Sequence, residues 1–252
     1  MLRLVIATSA LALLAGTADA QTATWSGPYV GVAAEYNLGE TAVSVELGES
    51  WAVNPPALRD DVTEDWSLDQ DMSGGGVGLV AGYRRQFSNN FFVGGELGYS
   101  YLNLETSFQS GPNPTVSVPI LSYDFNNTAE LKNSATARLH LGYGSDRVMG
   151  YAIFGYTSVD ARAYTSILSN GAYSKEGETS NRIDGTTLGL GAAWRLNDRL
   201  SISGEYTHTE LGDLEFTTVY RPGSTFTSPS YREDFTQEFS LESFRVGLNY
   251  HF

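Results

Sequence analysis

Eight ionisable side chains stand in segments otherwise rich in glycine and apolar residues: Glu35, Arg84, Glu96, Arg138, His140, Arg195, Glu205 and Arg245. Each has the opposite parity to a run of apolar neighbours, so on an extended chain all eight share the face away from the apolar one. Acids and guanidinium groups enclosed on one face must pair or meet trapped water, because a buried charge left alone is costly. Arg84 and Glu96 flank the turn Ser88-Asn89-Asn90, which makes them near-diagonal neighbours on one hairpin. Arg245 and Glu35 fall at similar heights near the two chain ends, and Glu205 falls beside Arg245. Such a set is either a salt-bridged plug or a gate that passes ions, and the plug is the simpler reading.

Other chemistry has thinner support. A hydrolase needs an activated hydroxyl beside a base, usually His, that a carboxylate orients. The three histidines are His140, His208 and His251. His208, in Tyr206-Thr207-His208-Thr209-Glu210, lacks the serine of a His-x-Ser arrangement, and Thr209 would have to replace it. His140 reads as part of the enclosed polar set and His251 as a rim residue. Cysteine is absent, which removes disulfides, thiolate catalysis and cysteine metal sites. Asp69-x-Asp71-x-Ser73-Gly74 resembles the opening of a calcium loop, but its twelfth position is Val80, not Glu. No cofactor is expected. A net charge of −14 argues against nucleic acid, which requires basic patches.

The elements that would hold the eight charges are strands. The final residues show the pattern most clearly: Phe244, Val246, Leu248, Tyr250 and Phe252 alternate with Ser243, Arg245, Gly247, Asn249 and His251. The same period of two predicts strands over 29–38, 75–87, 91–102, 135–144, 149–160, 186–196, 200–209 and 241–252. On the fifth strand the apolar set is Tyr151, Ile153 and Val159. Three connections are tight turns: Ser88-Asn89-Asn90, Ser145-Asp146-Arg147-Val148 and Asn197-Asp198-Arg199. The other four run roughly 20 to 35 residues, an asymmetry typical of outer-membrane barrels with long loops outside the cell. Seven of the eight prolines fall in those long connections, where no ladder hydrogen bond is lost.

A soluble eight-stranded barrel is the competing architecture. The contents of the two faces decide against it. Glycines mixed with charges of both signs suit a narrow lumen, which eight strands leave only wide enough for side chains. The apolar face ends in aromatics near the short turns, namely Phe87, Phe91, Tyr143, Tyr151, Trp194, Tyr250 and Phe252, as an interfacial girdle does. The start of the chain agrees with export. Arg3, the apolar run 4–14 and Ala18-Asp19-Ala20 make residues 1–20 a signal peptide, with residues 21–252 the barrel domain. No later segment approaches the ~18 apolar residues of a spanning helix.

The first long connection, 39–72, is strongly acidic, with Arg59 its one basic residue. It is read as a solvated loop or as a weak divalent-cation bridge to lipopolysaccharide phosphates. Trp51, Trp66, Tyr123, Phe125, Tyr173, Tyr220, Phe226 and Tyr231 also fall in long connections, as recognition residues or as packing over the barrel mouth.

The motifs resemble one family. Trp25-Ser26-Gly27-Pro28-Tyr29-Val30-Gly31 looks like its first strand, and Leu188-Gly189-Leu190-Gly191-Ala192-Ala193-Trp194-Arg195-Leu196-Asn197-Asp198-Arg199-Leu200 opens a hairpin similar to its sixth and seventh. Thr209-Glu210-Leu211-Gly212 and Arg245-Val246-Gly247-Leu248-Asn249-Tyr250-His251-Phe252 complete the match. The family is the small outer-membrane beta-barrels of alphaproteobacteria, the porin-like Omp25/RopB group. The resemblance implies a cell outer membrane location and insertion by the outer-membrane assembly machinery, which reads the terminal aromatics Tyr250 and Phe252. It also implies lipid and lipopolysaccharide as surroundings, and a structural or surface-interaction role toward host or surface ligands through the loops. The fold expected is all-β, an eight-stranded antiparallel transmembrane barrel with short periplasmic turns. A small low-conductance channel is the second functional reading, and a lipid A-modifying enzyme the third.

Overall fold

A computed structural model describes residues 25–170, 173–222, 224 and 227–252. The expected signal peptide, residues 1–20, and Phe226 lie outside them. In chain order the elements are β1 (Gly27–Glu49), a 3-10 turn (Ser50–Val53), α1 (Pro56–Trp66), β2 (Leu68–Gln86), β3 (Phe91–Pro114), β4 (Ser122–Gly144), β5 (Val148–Ser169), β6 (Ser174–Arg195), β7 (Leu200–Leu211), β8 (Leu214–Thr217), β9 (Val219–Tyr220) and β10 (Tyr231–His251). Neighbours pair antiparallel, and β10 returns to β1 in register from Tyr29↔His251 to Glu49↔Tyr231, which closes the sheet. β10 is flanked by β7 over Ser240–Tyr250 and by β8 over Asp234–Gln237, so β7 and β8 act as one interrupted stave. Eight staves therefore enclose the lumen, with β9 a short addition to β6.

The strands run much further than the apolar-out alternation. β1 has 23 residues. At ~3.4 Å per residue and a tilt of ~40° it rises roughly 60 Å, against an apolar band of ~25 Å in an outer-membrane barrel. The excess stands beyond the membrane at the end opposite the tight turns, and there the pattern inverts. On β1, Val30, Val32, Tyr36 and Leu38 are exposed, whereas higher up Val43 and Val45 are buried and Ser44 and Glu46 are exposed. On β10, Phe244, Val246, Leu248 and Tyr250 face out, while Phe235, Phe239 and Leu241 face in. The barrel is inside-out where lipid surrounds it and conventional where water does. On β4 the backbone makes the change: pairing slips between Leu131 and Ser134, and the inward set is odd up to Leu131 and even from Ser134 on.

This inversion corrects the expectation of long loops and decides two further points. The four long connections are mostly strand; among the described residues what remains lies at 50–67, 115–121, 170, 173, 212–213, 218, 221–222, 224 and 227–230. Asp69 and Asp71 belong to no calcium loop: they are exposed on β2, with Gln70 and Met72 between and beside them facing in. Trp51, Trp66, Tyr123, Phe125 and Tyr173 are buried inside the upper barrel.

A second correction concerns β5. Tyr151, Ile153 and Val159 point inward, and the lipid face is Val148, Phe154 and Tyr156. Both faces of this strand are apolar, so apolarity could not choose between them. Flanking glycines choose. A Cβ at Gly142 would lie 2.7 Å from Tyr151 Cβ, and one at Gly191 would lie 2.5 Å from its ring. The remaining girdle residues, Phe87, Phe91, Tyr143, Trp194, Tyr250 and Phe252, are all exposed.

Candidate functional site: a buried charge layer below a plugged mouth

The lumen is filled in layers. At the turn end, Trp25, Phe92, Met149, Tyr151, Ile153 and Ala193 form an apolar cluster, and Trp25 Nε1 donates to the Ser145 carbonyl at 2.7 Å. Above it lies the ionic layer. Strand register places Arg245 between Glu35 on β1 and Glu205 on β7, each directly opposite it. Arg245 turns toward Glu205 and across the lumen to Glu96 on β3. Its Nη2 lies 2.5 Å from Glu205 Oε2 and 2.7 Å from Glu96 Oε1, and its Nε donates to Glu205 Oε2 at 3.0 Å. Arg138 Nη1 adds contacts of 3.3 Å to Glu205 and 3.9 Å to Glu96. The second oxygen of each carboxylate accepts a tyrosine: Tyr29 OH to Glu96 at 2.8 Å and Tyr151 OH to Glu205 at 2.7 Å. Glu96, Glu205 and Arg245 are all under a tenth exposed. Bifurcated charge-assisted bonds from fixed strands give a closed, rigid layer rather than a loose set of pairs.

The expected set is therefore brought together only in part. Glu35 lies opposite Arg245 but instead accepts from Ser100 Oγ at 2.8 Å, because Arg245 reaches better-buried carboxylates. Arg84 forms no ion pair with Glu96. Register puts Gly82 opposite Glu96 and Gly94 opposite Arg84, and the guanidinium lies 4.0 Å over the Tyr29 ring. Arg195 is not in the layer. It sits at the turn end, 4.7 Å over the Trp25 ring, with Nη1 3.3 Å from the Asp198 carbonyl, since strand tilt carries this late position on β6 to the rim. His140 is in the layer, fully buried, with its ring 4.9 Å from that of Tyr151. Tyr29 and Tyr151 were missed as donors; the flanking glycines that admit their rings were the legible sign.

Higher up, an apolar layer of Met72, Leu102, Leu104, Leu131, Val159, Phe239 and Leu241 crosses the lumen. Next comes a buried amide layer, where Asn127 bonds Gln70, Thr165 and Gln237. The outer mouth is closed by α1, whose Leu58, Val62 and Trp66 share one face and enter an aromatic cluster with Trp51, Tyr123, Phe125 and Phe235. Asp61, on α1, accepts from the Ser117 side chain and from its N–H at 2.7 Å, which together hold its carboxyl below the usual carboxylate range.

This mouth contains a second ionic site that the sequence did not reveal. Glu233 is fully buried and accepts from Trp51 Nε1 and Thr218 Oγ1, both at 2.5 Å, as well as from Tyr173 OH and Lys175 Nζ. Lys175 also donates to the Tyr231 carbonyl at 2.6 Å. Burial and the Glu233 charge push the Tyr173 phenol far up; burial pushes Tyr123 up to about 12. Lys175 is one of only two lysines in the chain, which was the sole signal in the sequence.

The remaining candidate chemistry is separated by the strand pleat. His208 points outward, while Thr207 and Thr209 are buried on the lumen face. His251 is buried at the turn end, where its Nε2 lies 2.8 Å from Ser201 Oγ.

A sheet closed on its own end strands, apolar outside over one band and ionic within, is the integral barrel of an outer membrane. The chain belongs to the family described as outer membrane protein beta-barrel domain, which matches residues 8–252. It is 27% identical over 238 residues to the 31 kDa outer-membrane immunogenic protein of Brucella melitensis biotype 1, covering 93% of this chain and 87% of that one. The protein of the same description from Brucella suis biovar 1 matches equally. Among solved structures, OprG from Pseudomonas aeruginosa is 12% identical, with 90% of this chain and 96% of that chain covered and a TM-score of 0.45. A major outer membrane protein from Thermus thermophilus is 17% identical, with 87% and 99% covered and a TM-score of 0.40.

Proposed function

We propose that this protein is a closed, non-enzymatic barrel that reinforces the outer membrane and presents a rigid outer extension for surface contacts. The observation carrying this reading is the filled lumen, in which ionic, apolar, amide and aromatic layers succeed one another and α1 lies over the last. A pore would need these layers to part together. A catalytic hydroxyl would need His208 within reach, and its neighbouring threonines lie on the other side of the wall.

Several partners follow. Residues 1–20 act as an export signal, and Tyr250 and Phe252 present the terminal aromatics to the assembly machinery. Lys132, Arg162 and Arg182, half-exposed above the apolar band and paired there with Glu130, Glu178 and Asp160, are the cations nearest the phosphates of lipopolysaccharide. A relative is described as an outer-membrane immunogenic protein; by extension, the outer end of this barrel would be reached by antibodies or host ligands.

Planar-bilayer recording of the refolded protein tests the reading. No stepwise conductance is expected; reproducible unitary steps abolished by Arg245 substitutions would replace it with the channel reading. Unchanged lipid A in mass spectra of cells with and without the protein is expected as well.

A further inference from the structure

The ionic layer has cationic donors left over on one side. Arg84 is 1% exposed, yet its Nε and Nη1 have no hydrogen-bond partner among the described residues, and neither do the two ring nitrogens of His140. Buried N–H groups without acceptors are rare because each forfeits its hydration for nothing. The two residues converge: Arg84 on β2 and His140 on β4 are both register partners of Gly94 on β3. Gly94 lets the Arg84 side chain lie across β3 toward His140, since a Cβ there would lie 2.8 Å from Arg84 Cγ. The faces of Arg84 are occupied, by Tyr29 at 4.0 Å and by Tyr151 at 5.8 Å, so only its edge can take a ligand.

The sign of that ligand can be argued. Glu96, His140 and Glu205 bring ligand atoms within 4.8 Å of one another, a spacing a divalent cation could use. However, all four oxygens of Glu96 and Glu205 already accept bonds from Arg245, Arg138 or a tyrosine. The guanidinium groups of Arg245 and Arg138 already occupy the carboxylate side of the place where the cation would sit. The acceptors are spent and the donors are not. We propose that Arg84 and His140, over Gly94, bind a small inorganic anion of chloride size inside the barrel. Arg84 supplies charge and two N–H groups, and His140 supplies a ring N–H.

The site is enclosed, so the anion enters during folding, and the test refolds the full chain separately in sodium chloride, bromide and gluconate at equal ionic strength. Gluconate is too large for the site. The urea midpoint of wild type is expected to be higher in chloride and bromide than in gluconate, and Arg84→Met is expected to lose that difference. Crystals grown in bromide should show an anomalous peak within hydrogen-bond distance of Arg84 and His140. Equal wild-type midpoints in all three salts overturn the proposal, as does an ordered water or a transition metal at that position. A bromide peak without a salt-dependent midpoint means an adventitious ion only, and likewise overturns it. If Arg84→Met does not fold, His140→Phe takes its place, and the wild-type salt series still decides.

Discussion

Removing Glu205 and removing Glu35 are predicted to have unequal consequences, although strand register places both opposite Arg245. Glu205 accepts from Arg245 at 2.5 and 3.0 Å, from Arg138 at 3.3 Å and from Tyr151 at 2.7 Å, at 7% exposure. Glu205→Gln keeps the shape but removes the charge and replaces one accepting oxygen with an NH2 that faces either Tyr151 or the two arginines. Breaking a buried pair from one side costs about 3–5 kcal/mol. Arg245 and Arg138 retain Glu96, so the low end, about 3 kcal/mol, is expected. Glu35 accepts one hydroxyl, from Ser100, and is half-buried; losing one net hydrogen bond there costs about 1 kcal/mol. The assay is urea unfolding in lipid vesicles, followed by tryptophan fluorescence. Equal losses for Glu35→Gln and Glu205→Gln, or a Glu205→Gln loss below about 1 kcal/mol, would refute the assignment of Arg245 to the cross-lumen carboxylates.

Gly191→Ala should destabilise by about 1–3 kcal/mol through overpacking, and by much less in a Tyr151→Ala background, because the clash is with the Tyr151 ring; a double-mutant cycle measures the coupling. Glu233→Gln should loosen the mouth without unfolding the membrane band: limited proteolysis is expected to cut within 50–67 faster than in wild type, with heat-modifiable migration unchanged. Tyr173 and Tyr123 should ionise late in an alkaline titration read at ultraviolet wavelengths. Their folded values are raised, so the stability they contribute is complete below the ordinary phenol range near pH ~10 and falls as pH rises above it. Tyr173→Phe should flatten that fall. Deleting Phe252 should lower the yield of inserted barrel in cells while the protein refolded in detergent keeps its stability.

What the sequence showed, and what it hid, both follow from one rule of alternation. Apolar residues on outward positions were legible wherever lipid is the solvent, and the strands read at 29–38, 91–102 and 200–209 coincide with the exposed apolar band. Above the band, Ala42-Val43-Ser44-Val45-Glu46-Leu47 alternates just as regularly with the apolar residues inward. That run was continuous strand, but its parity is opposite to that of 30–38, and a rule tied to one apolar face stops where the surrounding solvent changes.

Composition, terminal alternation and turn chemistry determined that this is a barrel and where it resides. Those properties depend on neighbours within one strand or one hairpin. Which charges pair was decided by the tertiary structure alone. Arg245 has a carboxylate across each adjacent strand, yet it bonds one of them and a third, Glu96, from across the lumen. Side-chain reach, the rings of Tyr29 and Tyr151, and the glycines that admit them set that choice. The Lys175–Glu233 lock joins strands that share no ladder. Contacts across an enclosed volume depend on closure and tilt, and neither is written in the spacing of residues along the chain.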